Sequence, residues 1–180
     1  MSLFKNPEPG PLYTVAVAAK LIAEPGEDIS AIGNQLRRFA QRGDVMTRGQ
    51  TGSGRTAGNL FSLADIAVAR VQRTVMALGL ADASTTHEIQ IGCYHGAYTT
   101  LENPNGHPVT AALLDCHQNG NAAPHWVCQL NLYYVDGERQ MDAKVFPVTS
   151  AAQDDHPGIA VSIRVPMRDF LIRLAAKLDA

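Results

Sequence analysis

The fold is decided by residues 29–66, which read ISAIGNQLRRFAQRGDVMTRGQTGSGRTAGNLFSLADI. The first part of this stretch has apolar residues every three or four positions, at Ile29, Ile32, Leu36 and Phe39. Such spacing is typical of an amphipathic helix, and Gly43 follows as a C-terminal stop signal. We therefore predict a helix that starts near Asp28 and ends before Gly43, with polar residues on its other faces.

A hairpin and another helix are predicted after this helix. Two short β-like pieces flank the glycine-rich tip Gly49–Gly54, with Arg48 and Arg55 on either side. Ser62 then opens a helix with Asp65 three residues later, a variant of the capping box. The predicted buried stripe of this helix runs toward Gly79 through Leu63, Ile66, Ala67, Val71, Val75 and Leu78.

A short helix precedes the deciding stretch. Thr14 is its expected N-cap, and Val17, Ala18 and Leu21 form its expected apolar face. The Glu24-Pro25-Gly26 turn ends it. The order helix, turn, helix, hairpin, helix over residues 11–80 predicts a winged helix-turn-helix DNA-binding domain.

After residue 86 the sequence pattern changes, and apolar residues occur at alternate positions. Strands are predicted at Ile89–Cys93, at Trp126–Tyr134 before the Asp136-Gly137 turn, at Met141–Val145 and at Ile159–Val165. Turns are predicted at 103–108 and 118–124. A C-terminal amphipathic helix follows, with an apolar stripe of Met167, Phe170, Leu171, Leu174 and Leu178. Residues 87–180 are thus expected to form a small antiparallel-sheet α+β domain, and the fold class is α+β.

Charge is distributed unevenly along the chain. The net charge is −2, but residues 1–80 carry nine Lys or Arg against six Asp or Glu, which gives +3. Residues 81–180 carry six against eleven, which gives −5. Between residues 35 and 55, five arginines face only Asp44. A local basic cluster of arginines favours contact with phosphates and guanine edges.

Three short sequences within residues 13–66 resemble, in order, those of the DNA-binding domain of MerR-type regulators. Tyr13-Thr14-Val15 resembles the family's aromatic-Thr-Ile at the start of its first helix. Residues 36–43, LRRFAQRG, resemble its Leu-Arg-x-Tyr/Trp-Glu-x-x-Gly signature, although Ala40 replaces the acidic residue. Residues 60–66, LFSLADI, resemble its Arg-x-Tyr-x-x-x-Asp-Leu. The family's long coiled coil has no counterpart after the third helix, and phage excisionases and small terminase subunits share the fold.

With this fold the second helix is expected to enter the major groove of double-stranded DNA. Gln35, Arg38 and either Gln41 or Arg42 are then predicted to reach base edges, while Arg37 anchors a phosphate. Arg48 and Arg55 are predicted to hold the DNA backbone or the adjacent minor groove.

Cysteine and histidine residues occur only after residue 80 and raise two other possibilities. Cys93-x-His95, Cys116-His117 and His125-x-x-Cys128 contain zinc-ligand residue types, but none repeats the spacing of a known zinc fold. Asp115, Cys116 and His117 have the residue types of a nucleophilic site but no motif that brings them together. We therefore expect no metal, no cofactor and no catalytic activity, and reduced thiols.

The sequence as a whole predicts a cytoplasmic transcription regulator that binds double-stranded DNA sequence-specifically, with repression favoured over activation. A phage-type accessory protein, similar to an excisionase or a small terminase subunit, is the alternative. We expect a homodimer, no membrane association, and a second domain that dimerises or binds a small-molecule or protein effector. The stripe of the C-terminal helix either pairs with its copy or covers the domain's own sheet.

Overall fold

A computed structural model describes residues 10–53, 58–80, 82–95, 107–148 and 159–179. Six α-helices and two antiparallel three-stranded sheets lie within these ranges. The mixed α+β class predicted from the sequence is therefore confirmed. None of the helices in these ranges is long and apolar enough to cross a membrane.

The N-terminal part contains three helices and one small sheet. Its elements are β1 (Tyr13–Thr14), α1 (Val15–Ile22), α2 (Ile29–Arg42), β2 (Gly49–Thr51), β3 (Gly58–Phe61) and α3 (Leu63–Ala77). The strand order is β1-β3-β2, and both pairings are antiparallel. The sheet therefore ties the start of α1 to the hairpin that precedes α3.

Local capping sets the ends of these helices, as predicted. The Thr14 hydroxyl accepts a hydrogen bond from the Val17 amide, and the Asp28 carboxylate accepts one from the Ser30 amide. Gly43 ends α2 in the left-handed region at φ 77°, which glycine adopts without steric cost. Ser62 and Asp65 form the reciprocal capping box of α3.

The buried faces differ from the prediction at the helix ends. In α1, Val17 is 42% exposed, and the core side consists of Val15, Ala18, Ala19 and Ile22. Ile29 in the first turn of α2 is 43% exposed, and Leu78 beyond the last turn of α3 is 60% exposed. Terminal residues lie past the edge of the neighbouring helix, so periodicity alone overstates their burial.

The second half of the chain contains three further helices and the larger sheet. Its elements are α4 (Ala83–Tyr94), α5 (Pro108–Asn119), a 3-10 turn (Gly120–Ala122), β4 (His125–Val135), β5 (Glu138–Val148), β6 (Ile159–Pro166) and α6 (Arg168–Ala175). The strand order is β5-β4-β6, with both pairings antiparallel. The predicted Asp136-Gly137 hairpin is confirmed, and both turn residues have positive φ.

The predicted strand at Ile89–Cys93 is wrong, because these residues belong to α4. Ile89 and Cys93 are buried one helical turn apart, while Ile91 between them is 38% exposed. Asp82 caps the helix through the Thr85 amide. A side chain at Gly92 would overlap the Ala143 carbonyl, so α4 packs against β5 at the distance that only glycine allows.

The turn predicted at 118–124 is also partly wrong, since α5 continues to Asn119 and the 3-10 turn occupies 120–122. Of the turn predicted at 103–108, residues 103–106 lie outside the described residues, and Pro108 is already the first residue of α5.

The stripe of α6 is covered by its own chain. Phe170, Leu171 and Leu174 are 7%, 0% and 1% exposed, and α6 packs against α5, α3 and β4. Of the two alternatives for this stripe, packing within the subunit holds, although helices cover it as much as the sheet does. One continuous cluster of buried apolar residues extends from α1 to α6.

Candidate nucleic-acid interface

Helix α2 has one buried and one exposed side. Its buried residues Ile32, Leu36 and Phe39 belong to the core, and the helix packs against α1. The opposite side exposes five polar side chains at helical spacing: Ser30, Asn34, Arg37, Arg38 and Gln41. We refer to these five residues as the α2 face. Because the other side is fixed in the core, the α2 face is rigidly presented.

The two arginines of the α2 face differ in their surroundings. Arg37 donates a hydrogen bond from Nη1 to Asn34 Oδ1 at 2.8 Å, which orients its guanidinium along the helix. For Arg38, the described residues provide no hydrogen-bond or ion-pair partner within reach. A guanidinium presents five N–H donors in a planar fork that fits phosphate oxygens and the guanine edge. Of the two arginines on the α2 face, Arg38 is the one whose guanidinium is not engaged by another described residue.

Arg42 lies at the C-terminal end of α2 beside the α2 face. Its Nη2 is 2.5 Å from Asp44 Oδ2, and its guanidinium carbon is 5.7 Å from the centre of the Phe39 ring. The side chain is still 54% exposed. Arg42 thus combines a structural contact with an accessible charge, which suits a phosphate contact better than base reading.

Gln35 does not lie on the α2 face, although the sequence predicted that it reads base edges. Its Oε1 accepts a hydrogen bond from Arg73 Nε at 2.9 Å, and its Nε2 contacts the Met76 sulfur. The side chain therefore joins α2 to α3. Sequence spacing placed it beside Arg38, but the position of α3 determines which side of α2 is covered.

Arg48 is engaged in the interior rather than extended toward solvent. Its Nε and Nη2 bond both carboxylate oxygens of Asp65, at 3.1 and 3.2 Å, and Asp65 is fully buried. Asp65 also accepts hydrogen bonds from Ser62 and from the Tyr94 hydroxyl. Burial, and then the nearby Asp65 carboxylate, raise the pKa of Tyr94 well above its ordinary value. Arg48 therefore joins the β2–β3 hairpin to the start of α3, and its predicted contact with the DNA backbone stays a prediction.

Arg55 lies outside the described residues, so its predicted role stays a prediction. The residues on the N-terminal side of the tip are all exposed: Gly49, Gln50, Thr51, Gly52 and Ser53. They contain no charged group.

The turn before α2 is fixed by a cluster of ion pairs. Glu24 contacts Arg70 at 3.1 Å and Arg173 at 2.7 Å, and Glu27 contacts Arg73 at 2.9 Å. Hydrogen bonding to Arg173 lowers the pKa of Glu24, and hydrogen bonding to Arg73 lowers that of Glu27. The cluster connects the turn to α3 and α6.

Two residues of the α2 face, Ser30 and Asn34, were not among the predicted site residues. Their positions are seven and three residues before Arg37, which is the spacing of one helical stripe. That spacing was available in the sequence. Asn and Ser side chains both donate and accept hydrogen bonds, so they add hydrogen-bonding groups to the α2 face.

The cysteine and histidine residues do not assemble a ligand set within the described ranges. No three His, Cys, Asp or Glu side chains there are grouped as metal ligands. Cys93 and Cys128 are fully buried and in contact, and their interaction raises the pKa of Cys93 well above its ordinary value. Burial likewise raises the pKa of Cys116 to about 11, which keeps it a thiol.

Asp115, Cys116 and His117 point to different partners. Asp115 accepts hydrogen bonds from Trp126 Nε1 and Asn119 Nδ2, whereas His117 Nδ1 lies 3.3 Å from the Ala175 carbonyl oxygen. Cys116 is buried in the core. The geometry gives no nucleophile with an adjacent base at this position.

Comparison with known proteins gave no match, either to a protein-family model or to a curated protein sequence.

Proposed function

We propose that this chain is a winged helix-turn-helix regulator that binds double-stranded DNA with α2 in the major groove. The observation that carries the proposal is the α2 face, a rigid polar stripe with two arginines and no carboxylate. The order of elements also supports it, since α1 is followed by α2 after the six residues 23–28, a turn longer than is usual in the MerR type, and β2 and β3 form a hairpin before α3. The resemblance of three short sequences to MerR-type regulators belongs to the same proposal.

In this proposal, Arg38 and Gln41 read base edges, and Arg37 and Arg42 contact phosphates. Arg55 contacts the backbone from the hairpin tip. Gln35 and Arg48 act indirectly, because they hold α2 and the hairpin against α3. The proposed regulator acts in the cytoplasm and without a cofactor.

The test is selection of bound sequences from randomised duplex DNA, followed by fluorescence anisotropy on the selected and a scrambled duplex. Arg38→Ala is expected to lower affinity for the selected duplex by about 1 to 3 kcal/mol, or about 5-fold to 150-fold, because base contacts of one arginine are lost. It is also expected to relax base preference at one or two positions.

Arg139→Ala is the matched control, because it removes one partly exposed arginine from β5, which belongs neither to α2 nor to the β2–β3 hairpin. This variant should bind both duplexes like the unaltered protein. Failure to bind any duplex at low salt, or an equal loss in Arg139→Ala, would contradict the proposal.

We also propose that the chain binds DNA as a homodimer, since one recognition helix makes too few contacts for the binding of about 10⁻⁸ M or tighter that is typical of specific regulators. The buried stripe of α6 is not available for pairing. Light scattering at micromolar concentration should therefore give twice the chain mass, and a monomer would contradict the proposal. Leu174→Asp is expected to unfold the chain rather than to yield a folded monomer, because Leu174 is 1% exposed.

A further inference from the structure

A cleft of about 320 Å³ lies behind the turn that precedes α2. Its walls are formed by α3, by the start of β4, by the end of β6 and by α6, and Glu24 lies at its rim. This volume falls at the lower end of the range of small-molecule sites in proteins. The cleft therefore has room for a small organic molecule between the first three helices and the second sheet.

The charged groups of the cleft favour an anion. Three guanidinium groups line it, those of Arg70, Arg168 and Arg173, against the two carboxylates of Glu24 and Asp169. Arg70 and Arg173 both contact the carboxylate of Glu24, and Arg70 also lies 3.8 Å from the carboxylate of Glu27. The Nε–H of Arg168 is buried and has no hydrogen-bond acceptor in the described part of the chain. The Nη2 of the same guanidinium donates to the Asn121 carbonyl, so part of Arg168 is already engaged. A buried donor without an acceptor is costly, and a carboxylate that reached Nε would remove that cost.

The rest of the lining favours an apolar body on that anion. Val71, Val127 and Val165 line the cleft together with the aromatic rings of Trp126 and Phe170. The guanidinium carbons of Arg70 and Arg173 lie 5.9 and 5.6 Å from the centre of the Phe170 ring. An apolar wall with adjacent cations fits a small carboxylic acid that carries an aromatic ring.

Glu24 links the cleft to the proposed DNA-binding surface. It is the second residue after α1, and its ion pairs with Arg70 and Arg173 hold the turn before α2. A ligand carboxylate at these arginines takes the place of the Glu24 carboxylate, so the turn loses its connection to α6. The contacts of Glu27 with Arg73 and Arg70 do not involve Glu24, so they still hold the other end of the turn.

We propose that the cleft is an effector site for a small aromatic carboxylate, which displaces Glu24 from Arg70 and Arg173 and weakens DNA binding. The weakening of DNA binding rests on the proposed DNA-binding function, whereas the binding of the carboxylate in the cleft does not.

Binding at the site is measured in the full chain by fluorescence of Trp126, the single tryptophan, which lines the cleft. Benzoate is the probe, and benzamide, its neutral analogue, is tested at the same concentrations and ionic strength. Benzoate should change the emission saturably and benzamide should not, because only benzoate supplies the anion. Equal responses to both compounds, or no saturable response to benzoate, would overturn the site.

Arg173→Ala is expected to weaken the benzoate response about tenfold or more, since one of the carboxylate-binding guanidinium groups is removed. Arg173 is 53% exposed, so this variant should fold, which circular dichroism checks. Arg139→Ala removes an arginine that does not line the cleft and should respond to benzoate like the unaltered chain. An unchanged benzoate affinity in Arg173→Ala would overturn the assignment of the cleft.

The regulatory half is tested with the selected DNA duplex. Benzoate should raise the dissociation constant for DNA by about fivefold or more, and benzamide should leave it unchanged. Saturable benzoate binding with an unchanged DNA affinity would overturn the coupling through Glu24. If the chain bound no duplex even without benzoate, the proposed function would fail, while the tryptophan measurement would still decide the site.

Discussion

Helices α2 and α3 have 14 and 15 residues and both carry arginines, yet these arginines do different things. In α3, Arg70 and Arg73 both contact carboxylates of the turn before α2. In α2, Arg37 contacts only an amide, and Arg38 has no partner in the described ranges. Arginines without a carboxylate partner are available to an anion, whereas Arg42 at the end of α2 pairs with Asp44 and is still 54% exposed. The number of arginines on a helix is therefore a weaker guide to a nucleic-acid surface than whether each arginine has a carboxylate partner.

The largest change in the free energy of unfolding is expected on removal of Asp65, the buried carboxylate of α3. Asp65→Ala leaves Arg48 without its carboxylate and removes the acceptor of Ser62 and Tyr94, so unfolding should become easier by about 3 kcal/mol. Urea denaturation measures this change. Asp82→Ala, which removes the exposed N-cap of α4, should cost only about 1 kcal/mol. Equal costs in the two variants would remove the distinction between buried and exposed carboxylates.

The next largest change in the free energy of unfolding is expected for an arginine of α3, and the same substitution in α2 is expected to change it less. Arg73→Ala should lower the free energy of unfolding by about 1 kcal/mol, because contacts to Gln35 and Glu27 are lost together. Arg38→Ala should change it by less than about 0.5 kcal/mol, as is usual for an exposed residue without partners. Urea denaturation of both variants under one condition checks the prediction. A larger loss in Arg38→Ala would show that the α2 face is structural.

A smaller change is expected in how stability depends on pH, through the carboxylates of Glu24 and Glu27. Arginine contacts lower the folded-state pKa of Glu24 and Glu27 below the ordinary value of 4.5. Their contribution to stability is therefore fully present above that value and is lost as the pH falls through the lowered folded-state values. The double variant Glu24→Gln with Glu27→Gln should lose less stability between pH 5 and pH 3 than the unaltered chain. Thermal unfolding across this range tests the prediction, and parallel profiles would contradict it.

The smallest effect is a change in DNA affinity, expected for a substitution on the α2 face itself. Asn34→Ala removes the acceptor that orients Arg37, so DNA affinity should fall about twofold, with base preference unchanged. Anisotropy with the selected duplex measures it. Ser30→Ala, one turn earlier, serves as the control for loss of a polar group that does not contact Arg37. If Asn34→Ala altered base preference, Asn34 would itself read the DNA.

Much of the first half of the chain was predictable because its signals are local. Thr14, Asp28 and Ser62 set helix starts through hydrogen bonds within three residues, and Gly43 sets a helix end through its own φ. In the second half, alternation at Ile89, Ile91 and Cys93 suggested a strand where α4 forms. Residues 89 and 93 are equally compatible with one face of a helix, and packing against β5 at Gly92 favours the helix.

The sequence by itself determined the starts of α1, α2 and α3, the end of α2, the α+β class, the Asp136-Gly137 hairpin and the presence of exposed arginines on α2, since each depends on neighbouring residues. The tertiary structure alone decided that Gln35 faces Arg73, that Arg48 bonds Asp65 and that the stripe of α6 is covered within the chain. These pairings join residues that are far apart in sequence. Which side of a helix stays free depends on how the other elements pack against it, and the spacing of residues within one helix does not contain that information.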